Sequence, residues 1–159
     1  MRVVFLDIDG VLNHSAHYTS LAPRLGHTTP VDWIDRTCVA RLDALCERTG
    51  AAVVVSSSWR IYLRDKGGAA PVLAAAGLRA PVIGETPDHT TETDRETVIA
   101  GRWGEIRAWL DAHPEVTGYV VLDDCEVTAP TARFVRTSIA VGLTDEDCER
   151  AAMALGLTP

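Results

Sequence analysis

Two aspartates one residue apart, Asp7-Ile8-Asp9, stand before Gly10 near the start of the chain. In an extended turn their carboxylates can share one side while Ile8 points back toward a core. Gly10 allows a tight turn there without a Cβ penalty. A second acid pair, Asp123-Asp124, follows another apolar run. Adjacent acids repel one another unless a cation sits nearby. A hard divalent ion such as Mg²⁺ takes oxygen ligands of this kind and lets an anionic substrate approach. Asp7, Asp9, Asp123 and Asp124 are therefore the candidate metal group.

Ser56 closes a third apolar run, with Ser57 beside it. A hydroxyl and a backbone N–H at a strand end can hold a phosphate oxygen. A serine-rich turn is ordinarily only a turn, and these two gain weight from their place. Phosphoryl transfer also needs a cation beside the transferred group. Lys66 is the single lysine among 15 basic residues, and it lies in a Gly-rich turn. An arginine must serve instead. Arg102, expected near the start of the helix before the fourth strand, can lean over the sheet edge and offers a forked grip on phosphate. Arg60, just after the serines, is the second candidate. Arg107, further along the same helix, is expected in solvent. Each of these arginines has a surface salt bridge as its ordinary alternative.

The elements that must position these groups follow from the apolar pattern. Val3–Leu6 and Ala51–Val55 are short continuous apolar runs, the mark of strands buried on both faces. Pro81–Gly84 reads as a third strand, Tyr119–Leu122 as a fourth and Phe134–Val135 as part of a fifth. Ile34, Cys38, Val39, Leu42, Leu45 and Cys46 recur at helical spacing, with Asp32 or Asp35 as cap and Gly50 as stop. A short helical stretch is expected over Trp59–Arg64, broken at Gly67-Gly68, and another from Pro71 to Ala76. Helices are also expected from about Gly101 to His113 and over residues 145–155. Residues 13–30 and 85–100 are polar and read as long loops. Alternating strands and helices imply an α/β fold with a mostly parallel sheet. In such sheets the site lies at the carboxyl ends of the strands. Three strands end in the residues named above.

The runs FLDIDGVLN, VVVSSSWR and VVLDD, in that order, resemble the haloacid dehalogenase-like (HAD) phosphatase superfamily. GRWGEIRAWLDAHPEVTGYVVLDD, with FVRTSIAVGLTDED after it, further resembles a small HAD branch found in RNA-repair multidomain proteins. The resemblance implies a single three-layer Rossmann-like domain over 1–159, with a five-stranded sheet in the order 5-4-1-2-3. It implies Asp7 as a nucleophile that forms an aspartyl-phosphate. Asp9 would be the general acid and base. Asp7, the backbone carbonyl of Asp9 and a carboxylate of Asp123 or Asp124 would hold Mg²⁺. Ser56 would hold the phosphate and Arg102 would be the cation, where the commoner family pattern has lysine.

Family members often carry an inserted cap domain, and no full cap fits in either polar stretch. An open site suits a large substrate, such as a phosphate on a nucleic-acid end or a protein, or requires a partner to close it; the expected partner is a phosphorylated small molecule or nucleic-acid end. His14, His17, Tyr18 and Trp33 are candidates for lining its mouth, with loop or core filling as their ordinary role.

The chain has 159 residues, 47% hydrophobic and 23% charged, the balance of one ordinary globular domain. Its net charge of −7 argues against strong non-specific binding to nucleic acid or to an anionic membrane. No apolar run is long enough to span a bilayer. The N-terminus meets Asp7 and Asp9 too soon for a signal-peptide core, so a cytoplasmic location is expected. Cys38, Cys46, Cys125 and Cys148 show neither C-x-x-C nor zinc spacing and are expected as reduced thiols. A receiver-type signalling domain would need an acceptor aspartate at the third strand and a lysine at the fifth. Here the third strand ends in Gly84-Glu85 and no lysine follows Lys66. A HAD-like binding module without activity would be marked by loss of Asp7 or Asp9, and both are present.

Overall fold

The computed structural model describes residues 1–89, 95–127 and 129–157. Strands β1 (Arg2–Leu6), β2 (Ala51–Val55), β3 (Val82–Glu85), β4 (Gly118–Asp123) and β5 (Phe134–Arg136) form one sheet. Their order is β3-β2-β1-β4-β5, and every pairing is parallel. This is the expected order read from the opposite edge. The helices are α1 (Ser15–Leu21), α2 (Arg36–Thr49), α3 (Trp59–Tyr62), α4 (Ala70–Ala76), α5 (Arg95–Asp111) and α6 (Asp145–Ala154).

The apolar runs are continuous because the sheet is covered on both faces. Val4, Leu6, Val53, Val55, Val120 and Leu122 pack on one side with Leu42 and Leu45 of α2, Leu73 of α4 and Ala151 of α6. Val3, Phe5, Val54 and Val121 pack on the other with Ile106 and Trp109 of α5. Trp109 and Tyr119 meet the Phe5 ring edge-on, at 5.5 and 6.0 Å between centroids. Side chains alternate along each strand, so the parity of a residue decides which helix layer it meets.

The helix ends follow local chemistry. Asp35 is the cap of α2, its Oδ1 accepting from Thr37 N at 2.7 Å. Gly50 ends that helix at φ +66°, a left-handed turn suited to glycine. Thr144 and Asp147 form a reciprocal capping box at the start of α6.

Two expectations need correction. Residues 13–30 are not one loop, because α1 and a 3₁₀ turn over Ala22–His27 lie within them. The cap of α1 is His14, whose Nδ1 accepts from His17 N at 3.3 Å. The first turn is further held by Ser15 N and Ala16 N donating to the carbonyls of Ile139 and Ala140. Those partners are more than a hundred residues away, so a local pattern does not reveal them. The second expected loop, 85–100, begins with the last residue of β3 and ends inside α5. That helix starts at Arg95, so Arg102 lies in its interior rather than at its start. Residues 90–94 of this loop lie outside the described residues.

Candidate active site

The sheet register builds the site. Leu6 pairs with Val55 on one side and with Leu122 on the other. The ladder continues one residue further, with Ser56 N donating to Leu6 O at 2.7 Å and Asp7 N to Leu122 O at 3.0 Å. Ser56, Asp7 and Asp123 therefore stand side by side at the strand ends. By alternation they face the same layer as Val54, Phe5 and Val121, which is the α5 layer.

Arg102 reaches them from α5. Its Nη1 lies 2.7 Å from Asp7 Oδ2 and 2.6 Å from Asp123 Oδ2, and all three side chains are buried. Burial opposes the charge on Arg102, but the two carboxylates outweigh it and hold the guanidinium above its ordinary pKa. Burial raises the pKa of Asp7, while Arg102 and a hydrogen bond from Ser57 pull in the opposite direction. Burial, then the neighbouring Asp7 charge, pushes Asp123 up to about 7. Asp123 Oδ1 also accepts from Cys125 N at 2.8 Å.

Asp9 sits beyond this row on the tight turn. One of its oxygens, Oδ1, accepts from Asn13 Nδ2 at 2.7 Å and from Trp59 Nε1 at 3.1 Å. Gly10 takes φ +71°, and a Cβ built there would lie 2.5 Å from Asp124 Cβ. Asp124 is thus packed directly against the Asp9–Gly10 turn, as only glycine permits. Thr137 Oγ1 donates to Gly10 O at 2.8 Å and fixes the turn from the far side.

The remaining residues expected in the site divide. Ser56 is buried, and its Oγ has no hydrogen-bond partner among the described residues. An orphaned hydroxyl beside two carboxylates and an arginine suits a polar ligand. Arg60 is also buried; both its Nη atoms are engaged elsewhere, while its Nε has no hydrogen-bond partner among the described residues. It donates to Glu105 Oε2 at 2.6 Å and to the carbonyl of Ser57 at 2.8 Å. Arg107 is exposed, and Lys66 is exposed with its ammonium over the Tyr62 ring. Of the four mouth candidates, His14 is the buried α1 cap, bonded to Asp35 Oδ2 at 2.9 Å, and His17 places Nε2 2.9 Å from the Asp32 carbonyl. Trp33 is partly buried, its indole donating to Thr28 Oγ1 at 2.9 Å. Tyr18 is partly exposed, and burial together with the Asp9 charge pushes its phenol up to about 12. Its hydroxyl is close enough to feel the acid. All four cysteines are free.

Sequence reasoning missed three residues here. Trp59, Asn13 and Glu105 were seen only as parts of the quoted runs, with no role assigned. A signal existed for Trp59 and for Glu105. A buried indole N–H needs an acceptor. Glu105 lies on the same face of α5 as Arg102, beside the buried Ile106.

The oxygen-only donor set of Asp7, the Asp9 carbonyl, Asp123 and Asp124 fits a hard divalent cation. Asp123 and Asp124 bring carboxylate oxygens within 4.8 Å of one another.

A family model for the HAD domain in Swiss Army Knife RNA repair proteins matches residues 3–148. The chain belongs to that family. HAD domains are generally phosphatases or other hydrolases, and they typically use a divalent metal. No curated protein and no solved structure matches the chain. The HAD match spans every element that builds the site, from β1 to the first turn of α6. Among the described residues, no helix is long and apolar enough to cross a membrane.

Proposed function

We propose that this HAD domain is a Mg²⁺-dependent phosphomonoesterase that works through an aspartyl-phosphate on Asp7. The observation that carries the reading is the single row of Ser56, Asp7 and Asp123 with Arg102 laid across it. A nucleophilic carboxylate must be ionised, and burial works against that. Arg102 and the Ser57 hydroxyl supply the opposing stabilisation.

In the first step a carboxylate oxygen of Asp7 attacks phosphorus and the bond to the leaving alcohol breaks. Asp9 donates its proton to the departing oxygen. In the second step Asp9 takes a proton from water, and the resulting hydroxide attacks phosphorus. Phosphate leaves and the Asp7 carboxylate is restored. Ser56 holds a phosphoryl oxygen through its hydroxyl, with Ser57 beside it. Arg102 is the cation of the site, and Arg60 supports the serine turn by holding the Ser57 carbonyl. Asp7, the Asp9 carbonyl and Asp123 or Asp124 would hold Mg²⁺, which supplies positive charge toward the phosphoryl oxygens.

The family description points to a phosphorylated nucleic-acid end as the substrate class. The compact segment between β1 and β2 agrees with an open site that admits a large substrate. Thr86, at the end of the same row of strand ends, also lines a cavity of about 500 Å³ on the β3 side, which Asp7, Ser56, Arg102 and Asp123 do not line. The acidic balance suits recognition of one end better than grip along a strand. Function in the cytoplasm is part of this reading.

The test is phosphate release from an aryl phosphate and from oligonucleotides with 3′- or 5′-phosphate, with and without Mg²⁺. Turnover that requires Mg²⁺ and disappears in Asp7→Asn supports the reading. If no substrate turns over, trapping of beryllium fluoride with Mg²⁺ on Asp7 decides the matter. A site that forms this mimic is a competent phosphatase site, and one that does not is a binding module.

A further inference from the structure

Asp9 is held asymmetrically. Both of its hydrogen-bond donors among the described residues, Asn13 Nδ2 at 2.7 Å and Trp59 Nε1 at 3.1 Å, address the same oxygen, Oδ1. The Asn13 amide cannot be turned round, because its Oδ1 already accepts from Gly10 N at 3.1 Å. A flipped amide would set its oxygen against the carboxylate and its NH₂ against an N–H. The indole N–H is a donor only. An oxygen that accepts from both groups cannot also carry a proton directed at either of them. When Asp9 is neutral, Oδ1 is therefore the carbonyl oxygen and Oδ2 the hydroxyl.

We propose that Trp59 and Asn13 are positioning residues that occupy Asp9 Oδ1 and so commit Oδ2 to carrying the proton to and from the substrate. The inference rests on the phosphatase reading above, because it gives Asp9 its acid–base role. Trp59 is itself fixed. It is buried, and the Trp33 ring meets it edge-on at 6.0 Å and 87°. Trp33 is tied in turn to Thr28 by its own indole N–H. The backbone N of Trp59 donates to Ser57 Oγ at 3.4 Å, and the Ser57 hydroxyl also bonds the Asp7 side chain. The acid and the nucleophile are thus oriented from one short turn after β2. The segment before α2, which carries Trp33 and Thr28, braces the indole and hence the proton donor.

The decisive variant is Trp59→Phe, which keeps an aromatic ring and removes the N–H. Its kcat/KM should be measured over a series of phosphate monoesters, from nitrophenyl esters to simple alkyl esters. This parameter covers the step in which the leaving group departs. A mispositioned proton donor hurts poor leaving groups most. The expected result is a loss of about tenfold for the alkyl esters that shrinks steadily as the leaving group improves, the size expected for one net hydrogen bond. Folding is checked by the indole N–H resonances of Trp103 and Trp109, which do not pack on Trp59, staying in place.

A second readout does not need turnover. The Trp59 indole N–H resonance, identified by its absence in Trp59→Phe, should move upfield in Asp9→Ala. An equal loss for all leaving groups, no loss at all, or an unmoved indole resonance overturns this inference and leaves the phosphatase reading standing. Turnover that survives Asp7→Asn overturns the reading itself, and the inference with it.

Discussion

The guanidinium of Arg102 lies 2.7 Å from the carboxylate of Asp7, with both side chains buried. The same nitrogen reaches Asp123, so one cation compensates two acids. Taking that cation away leaves two buried carboxylates in repulsion. Arg102→Ala is expected to lose about 3–5 kcal/mol of stability, as for other broken buried pairs. Arg102→Lys keeps the charge as a single point and should lose less stability, while turnover still falls because an ammonium leaves no second nitrogen for a phosphoryl oxygen. Urea unfolding of both variants, with kcat measured alongside, checks this. An Arg102→Ala protein as stable as wild type would show that the acids have another partner.

The two acids also set a pH dependence. Asp123 titrates at about 7 in the folded protein against 3.8 ordinarily, chiefly through burial, and Asp7 is shifted the same way. Between these limits the folded chain holds protons that the unfolded chain has released. The stability contributed by this pair therefore falls as pH rises from 3.8 toward 7. Asp35 and Asp43 are shifted down, so their contribution is lost only as pH falls below the ordinary range. In metal-free protein Asp123→Asn should flatten the first slope and leave the second. A cation that binds the ionised acids should reverse the loss, so Mg²⁺ should raise Tm more at pH 8 than at pH 5. Equal Tm shifts at the two pH values would count against these acids as ligands.

The strands were legible because the sheet is covered on both faces. That makes Val3–Leu6, Ala51–Val55 and Tyr119–Leu122 continuous apolar runs with polar ends. Their order and the acids at their ends were enough to recognise the family and to nominate a candidate site. The start of α5 was not legible, because Arg95–Ala100 sits in a polar stretch that resembles the loop before it. Arg102 could still be found, since it stands one turn before Ile106 on the stripe that ends at Trp109. α1 escaped because a histidine caps it and its first-turn N–H groups bond to the distant 139–140 segment. The true partners of Arg60 and Asp9 were hidden for a related reason. Glu105 and Trp59 become neighbours of those residues only once the sheet has brought separate segments together.

Gly10 and Gly50 make a matched pair for testing the Asp124 contact. They share nearly the same backbone, at φ +71° and φ +66°. A Cβ on Gly50 meets nothing within 4 Å, whereas one on Gly10 would lie 2.5 Å from Asp124. Gly50→Ala should therefore lose only the left-handed backbone cost, of about 1 kcal/mol. Gly10→Ala should lose more and should push Asp124 off the turn. Calorimetric titration with Mg²⁺ is expected to show weakened binding in Gly10→Ala and unaltered binding in Gly50→Ala. Equal behaviour of the two variants would mean that Asp124 has no part in holding the metal.

The Arg60–Glu105 pair is the second buried ion pair on α5, closing at 2.6 Å with both side chains almost fully enclosed. Its function differs from that of Arg102, because Arg60 also donates to the Ser57 carbonyl and Glu105 Oε1 accepts from His89 N. The pair therefore ties α5 to the serine turn and to the segment after β3. Glu105→Ala strands a buried guanidinium and should lose about 3–5 kcal/mol. Glu105→Gln keeps an acceptor for Arg60 and should lose less. If the pair holds the serine turn in place, Glu105→Gln should raise KM for the phosphate monoester more than it lowers kcat, since a loosened Ser56 weakens phosphate binding first. A double-mutant cycle with Arg60→Met separates the pair from its surroundings. Coupling above about 1 kcal/mol is expected for groups in direct contact. Simple additivity would instead assign the stability of this corner to packing around Ile106 and the serine turn.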